Sequence, residues 1–208
     1  MAVLDNQRPL KSLADAFTDL AAIVNSQTLD VIEVAPFCRA CSFVSPLLLC
    51  LGFAFKFADI EYVSKVDDLA EASKSIVTLP DLLARDVEAN CVAIEGSHSR
   101  NLLLVKRGID LVKVLFEQLL AAEVVDNSLK DPLSTAYEKV FAPYHAWAIR
   151  KAVAAGMYTL PTKAQLLKML NEDEASARIQ MQNYVVASAP VIRYIENLFL
   201  SRGLGIDG

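Results

Sequence analysis

LKSLADAFTDLAAIV, residues 10–24, places apolar side chains at Leu13, Phe17, Leu20, Ala21 and Val24. That spacing lines one face of an α-helix. The same period predicts helices over residues 53–74, 101–123, 134–157 and 163–170. A further helical region is expected over 175–200, carried by Ile179, Tyr184, Ala187, Val191, Tyr194 and Leu198 and interrupted near Pro190. Thr162 and Asp173 are the residue types that start helices. Strand-like alternation is hard to find. Only 7 glycines and 8 prolines punctuate 208 residues, so loops are short and the class is all-α. Loops are expected at 26–30, 95–99, 123–132 and 156–162, with 203–208 a frayed or docked tail. No repeat, low-complexity segment or linker divides the chain, which reads as one domain over 1–208.

The composition is more apolar than usual: 54% hydrophobic residues and a mean hydropathy of +0.34, against about 45–50% in ordinary globular domains. A membrane span does not explain it. The longest apolar run, residues 40–55, holds Ser42, Ser45, Pro46 and Gly52 and stops at Lys56, short of the ~20 residues a span requires. It reads as a buried helix kinked or started near Pro46. Residues 1–9 lack the pattern of a signal peptide, so no export is indicated and a cytoplasmic protein is expected. A net charge of −5 argues against nucleic acid as a partner, because phosphate backbones are held by clustered Lys and Arg. Attraction to an anionic membrane then falls to local basic patches. Cys38 and Cys41 form a lone CxxC without the partners of a zinc site; with Cys50 and Cys91 they read as reduced, buried thiols. No metal or cofactor is implied.

Catalysis finds little support. His98 and His145 are the only imidazoles, and neither sits beside a nucleophile elbow, a phosphate-binding glycine loop or paired carboxylates. Glu61 and Lys65 stand at i, i+4 on one helix face, and Arg100, Leu104 and Arg107 share another. On spacing alone the first pair reads as a solvated ion pair worth about 0.3–0.5 kcal/mol, and the second group as ordinary helix surface.

Three motifs change that weighting: FAFKFADIEYVSKVDDL at 53–69, GSHSRNLLLVKRG at 96–108 and FAPYHAWAIRKAV at 141–153. In this order and spacing the chain resembles the glycolipid transfer protein family, and within it the plant accelerated-cell-death and ceramide-1-phosphate transfer branch. The resemblance runs from about Leu10 through KDP at 130–132 to LGID at 204–207. It implies an all-α, two-layer helical sandwich with an apolar pocket for lipid chains. The implied activity is non-enzymatic transfer of a sphingolipid between membranes, with transient contact at the membrane surface.

The resemblance also implies residue roles. Glu61 occupies the position of the family aspartate that accepts from the ceramide amide, and His145 matches the histidine contacting the same amide. Lys65 and Arg100 match cations that hold a headgroup phosphate. Trp147 and Lys151 match membrane-docking positions, although packing against the helix layer is the other reading of Trp147. Two departures stand out. Leu104 replaces a second arginine of the phosphate-binding branch, and is also unlike the tryptophan of the sugar-binding branch. Glu61 is one methylene longer than the family aspartate. Arg107, one turn beyond Leu104, is either an additional headgroup contact or a structural ion-pair residue. The departures leave two expectations: transfer of a phosphorylated ceramide, or a lipid sensor or scaffold of the same fold with weak transfer or altered headgroup preference.

Overall fold

In a computed structural model, which describes residues 8–26, 31–122 and 127–206, ten α-helices follow one another. They are α1 (Pro9–Asn25), α2 (Val34–Ser42), α3 (Ser45–Cys50), α4 (Lys56–Ala72), α5 (Leu79–Glu88), α6 (His98–Ala121), α7 (Lys130–Val140), α8 (Trp147–Gly156), α9 (Lys163–Met169) and α10 (Glu174–Leu200). Short 3₁₀ turns precede α4 (Phe53–Phe55), separate α7 from α8 (Ala142–Tyr144) and follow α8 (Met157–Thr159). Among the described residues the only β-type pairing is an isolated bridge between Glu33 and Thr78. Packing runs in a circuit: α1 on α10, α10 on α6, α6 on α4, α4 on α2 and α2 on α1, with α7 on the remaining flank of α6. The result is a two-layer helical sandwich around one hydrophobic core.

The core is pinned where α1, α6 and α10 meet. The Tyr184 ring is wholly buried, edge-on to Phe17 and Phe116 at 5.0 and 5.5 Å, and its hydroxyl donates to the Ile109 carbonyl at 3.0 Å. A buried phenol needs that partner, because an unmet hydroxyl in a dry core costs about 1–3 kcal/mol.

The helix-start signals hold. Thr162 accepts from the Gln165 backbone in a full capping box, and Asp173 accepts from the Ser176 backbone at 2.8 Å. Three expectations are corrected. The single helix over 134–157 is two, because Pro143 lacks an N–H and cannot continue the ladder; the chain turns through Ala142–Tyr144 and restarts at Trp147. Conversely, α10 runs uninterrupted through Pro190. The carbonyl that Pro190 deprives of a donor belongs to Val186, which faces water, while Pro190 itself packs in the interior. In the 40–55 run a helix does start near Pro46, as expected, but it is only the short α3; the run also takes in the end of α2 and a 3₁₀ turn whose Phe53 is 80% exposed, so it is not one buried helix. Helices α2 and α5 were not anticipated by periodicity, and α6 starts inside the loop expected at 95–99. Of the remaining loop and tail expectations, residues 27–30, 123–126 and 207–208 lie outside the described residues. Leu204 and Ile206 are partly buried against the core, so the described end of the chain is docked.

The α4–α6 seam has an exact register. Gly108 lies against the Tyr62 ring so closely that a Cβ there would sit 2.3 Å from Tyr62 Cε2. Asn101 Nδ2 donates to Asp68 Oδ2 at 2.8 Å. The two helices are therefore antiparallel, with 62 beside 108 and 68 beside 101. Gly108→Ala should destabilise the fold by about 2 kcal/mol through overpacking, a Tm decrease of about 4–8 °C. Thermal unfolding followed by circular dichroism reads it, and an unchanged Tm would mean that the Tyr62 ring moves aside without cost.

Candidate functional site

Between those two anchors, residues 65 of α4 and 104 of α6 fall at the same level of the seam. Lys65 is thus matched across the seam by Leu104, an apolar and partly buried side chain. Lys65 Nζ pairs with Glu61 Oε1 at 2.9 Å, with the glutamate side chain 70% exposed and the lysine 21%. An ion pair this open contributes little stability and leaves both groups available to a ligand.

Two carboxylates and a hydroxyl hold the N-terminus of α6 in place. Ser97 accepts from the Arg100 backbone at 3.2 Å as the helix cap. Buried Asp86 of α5 accepts from the Ser99 backbone at 2.7 Å, and Asp68 of α4 accepts from His98 Nδ1 at 2.8 Å besides Asn101. His98 is thereby a structural hydrogen-bonding residue. Arg100, one residue from these ties, sends Nη1 to the Ala93 carbonyl of the α5–α6 loop at 3.0 Å. One of its donors is spent on the loop; a guanidinium carries five.

Arg107 is buried. Its guanidinium carbon lies 3.6 Å from the centre of the Tyr144 ring, and Nη2 donates to the Ile206 carbonyl at 3.4 Å. This cation–π stack brings the α7–α8 turn onto α6. The next residue, His145, turns the other way. Its Nδ1 lies 2.9 Å from the Tyr137 hydroxyl, and its ring is flanked by Phe141 at 5.5 Å and Tyr137 at 5.7 Å. Burial lowers the His145 pKa below 6.5, and the positive charge of Arg107 lowers it further. The imidazole is neutral at pH 7, so it offers one N–H and one lone pair.

Of the residues singled out in sequence, the structure pairs Glu61 with Lys65, sets Leu104 level with Lys65, and brings Arg107 within electrostatic reach of His145. Arg100 lies toward the α5–α6 loop end of the seam. Trp147 is 68% exposed, with Lys151 Nζ 5.7 Å from its ring centre, which removes the packed reading. Beside α8, the turns at Phe53–Phe55 and Met157–Thr159 touch each other and α8 itself, and add exposed Phe53, Phe57 of α4 and Tyr158, the last with Lys130 Nζ 3.9 Å above its ring. These aromatics and Tyr137 were missed in sequence. An exposed aromatic has the same spacing as a buried one, and the Tyr137–His145 contact depends on the break at Pro143 that periodicity did not find.

No described helix is long and apolar enough to cross a membrane. The Cys38 and Cys41 thiols are free and buried, and burial pushes Cys38 up to about 12. Cys50 and Cys91 are free and only partly buried, short of the burial expected for all four.

The family model for glycolipid transfer protein matches residues 32–172. Over 207 residues, and 100% of both chains, the sequence is 60% identical to accelerated cell death 11 of Arabidopsis thaliana. The crystal structure of an aspartate-to-asparagine variant of that Arabidopsis protein, complexed with C12 ceramide-1-phosphate, superposes with a TM-score of 0.95 at 59% identity, covering 98% of this chain and 100% of the other. Human ceramide-1-phosphate transfer protein complexed with 12:0 ceramide-1-phosphate shares the fold, with a TM-score of 0.81 at 20% identity over 95% of this chain and 98% of the other.

Because the neutral imidazole is favoured in the fold, the folded state binds fewer protons than the unfolded state between the lowered His145 pKa and 6.5. Its contribution to stability is complete above pH 6.5 and is lost as pH falls toward the lowered value. An NMR titration should place His145 below 6.5, and Arg107→Gln should move it upward; a His145 titrating at or above 6.5 would contradict the burial and charge described.

Proposed function

The chain belongs to the glycolipid transfer protein family, and from that premise we propose that it is a non-enzymatic carrier of ceramide-1-phosphate or a related phosphorylated sphingolipid between membranes. The observation that carries this reading is the full-length likeness to a protein crystallised with ceramide-1-phosphate, combined with the cations of the α4–α6 seam. Lys65 and Arg100 hold the phosphate by charge-assisted hydrogen bonds. Glu61 accepts the amide N–H and His145 meets the amide carbonyl. Each such group left unmet in a dry site would cost on the order of 1–3 kcal/mol, which separates amide-bearing sphingolipids from glycerolipids. Around 30 chain methylenes at about 0.8 kcal/mol each would cost roughly 24 kcal/mol in water, so the apolar interior must receive them directly.

Exposed Trp147, Phe53, Phe57 and Tyr158, with Lys151 and Lys130 beside them, support a face that rests on the membrane while the lipid passes. Trp147 and Lys151 are its docking pair. The protein works in the cytoplasm and touches membranes transiently. Arg107, buried and stacked on the Tyr144 ring, acts through its charge on His145, and any headgroup contact would use the N–H donors at the edge of its guanidinium.

A second reading is favoured by Leu104 and Glu61: with an apolar residue level with Lys65 and an exposed, longer carboxylate pairing with it, the protein senses or scaffolds around a lipid it transfers poorly. Two measurements separate the readings. Purified protein should accelerate ceramide-1-phosphate movement between vesicles, and Lys65→Ala or Arg100→Leu should slow it tenfold or more, the loss of about 1.5–3 kcal/mol per charged contact. No acceleration across a panel of sphingolipids would defeat transfer. Glu61→Asp combined with Leu104→Arg should change the rate little in a competent carrier; a large gain would instead establish the sensor.

A further inference from the structure

Tyr137 has so far only a contact. Its partner, His145, closes the 3₁₀ turn Ala142–Tyr144 in extended backbone, φ −96° and ψ 135°, with its own N–H on the Ala142 carbonyl at 3.4 Å. The ring is caught between Phe141, tilted 30°, and Tyr137, tilted 45°. The ring is thus held on two sides, and the Tyr137 hydroxyl 2.9 Å away is the described partner of Nδ1.

A neutral imidazole carries its proton on one nitrogen only, and the partner of the other nitrogen decides which. Were Nδ1 the protonated atom, it would donate to the Tyr137 oxygen and leave Nε2 a bare acceptor, unable to meet a carbonyl. With the phenol donating, the proton is forced onto Nε2. Burial raises the Tyr137 pKa, so the phenol keeps the proton it must donate, while Arg150 of α8 opposes that shift. The positive charge of Arg107 of α6 disfavours the doubly protonated form of the imidazole.

We propose that Tyr137 is a positioning residue: its hydroxyl donates to Nδ1 of His145 and so presents Nε2–H, in a ring fixed by Phe141, to the amide carbonyl of the bound lipid. The role rests on the assignment of His145 to the amide under the proposed function. It adds a second layer to that contact, because the donor exists only in the tautomer Tyr137 selects.

Nitrogen-15 NMR of the histidine rings at pH 7, without lipid, tests the tautomer alone. The native protein should show His145 as the Nε2–H form and Tyr137→Phe a mixture; a native Nδ1–H form overturns the role. Transfer of ceramide-1-phosphate between phosphatidylcholine vesicles tests its use. Tyr137→Phe should slow transfer about fivefold, the size of one neutral hydrogen bond. In a His145→Gln background, where a side-chain amide donates without any tautomer to select, the same substitution should change the rate less than twofold. A fivefold loss in both backgrounds would make Tyr137 a packing residue and overturn the proposal. Transfer untouched by His145→Ala would overturn the amide assignment itself, an outcome that the lipid-free spectra distinguish from a wrong tautomer.

Discussion

The close approach of Gly108 to the Tyr62 ring sets the distance between α4 and α6, and everything polar on the seam depends on it. A glycine inside a helix costs about 1 kcal/mol in propensity relative to alanine. Here the missing side chain lets a tyrosine ring occupy its volume, and the Tyr62 hydroxyl passes beyond to the Cys41 carbonyl of α2 at 3.2 Å. Three helices are tied at one level. A turn or two away, Asp68 gathers His98 and Asn101, and Asp86 takes the Ser99 N–H, so that the first turn of α6 is fixed from two sides. Arg100 inherits its position from those carboxylates, since its backbone lies within the turn they hold.

Charge and apolar surface are divided in space. A net charge of −5 gives the molecule no long-range pull toward an anionic ligand or membrane. The cations placed for short-range attraction are Lys65 and Arg100 on the seam and Lys130 and Lys151 over aromatic rings at the α8 end. Rings stacked under ammonium groups suit an interface, where the ring seeks hydrocarbon and the charge seeks headgroups. The apolar excess is split between a single interior cluster and a set of exposed side chains, aliphatic ones such as Leu49 and Ile60 as well as aromatic ones.

Much of this was legible in sequence wherever one physical effect acted alone. Residues 10–24 read as a helix and are one, because one face is buried and nothing interrupts it. Thr162 and Asp173 read as caps because capping is decided within four residues. The prolines were misread in both directions: Pro143 lies in the turn just beyond α7, whereas Pro190 sits inside α10. Short α2 and α5 do carry the helical period, at Val34, Phe37, Cys38 and Cys41 and at Leu79, Leu82, Leu83 and Asp86, but over only 9 and 10 residues, too few turns to stand out in the sequence. At the site, Glu61 and Lys65 were visible as i, i+4 neighbours. The pairings of Arg107 with Tyr144 and of His145 with Tyr137 join different elements, and only the folded chain brings them together.

Leu104 shows why stability and recognition separate on this seam. A leucine at a partly buried helix position has high helix propensity and covers its neighbours without requiring a partner. Leucine therefore suits the position on helix propensity and burial alone. A cation there would instead face Lys65 across the seam and repel it unless an anion lay between them. On the proposed reading, leucine avoids that repulsion, and Lys65 and Arg100 hold the phosphate without a further cation at this level of the seam. Glu61, which pairs with Lys65 at 2.9 Å, likewise lowers the uncompensated positive charge on the seam, so neither residue asks the fold to bear a charge it does not balance.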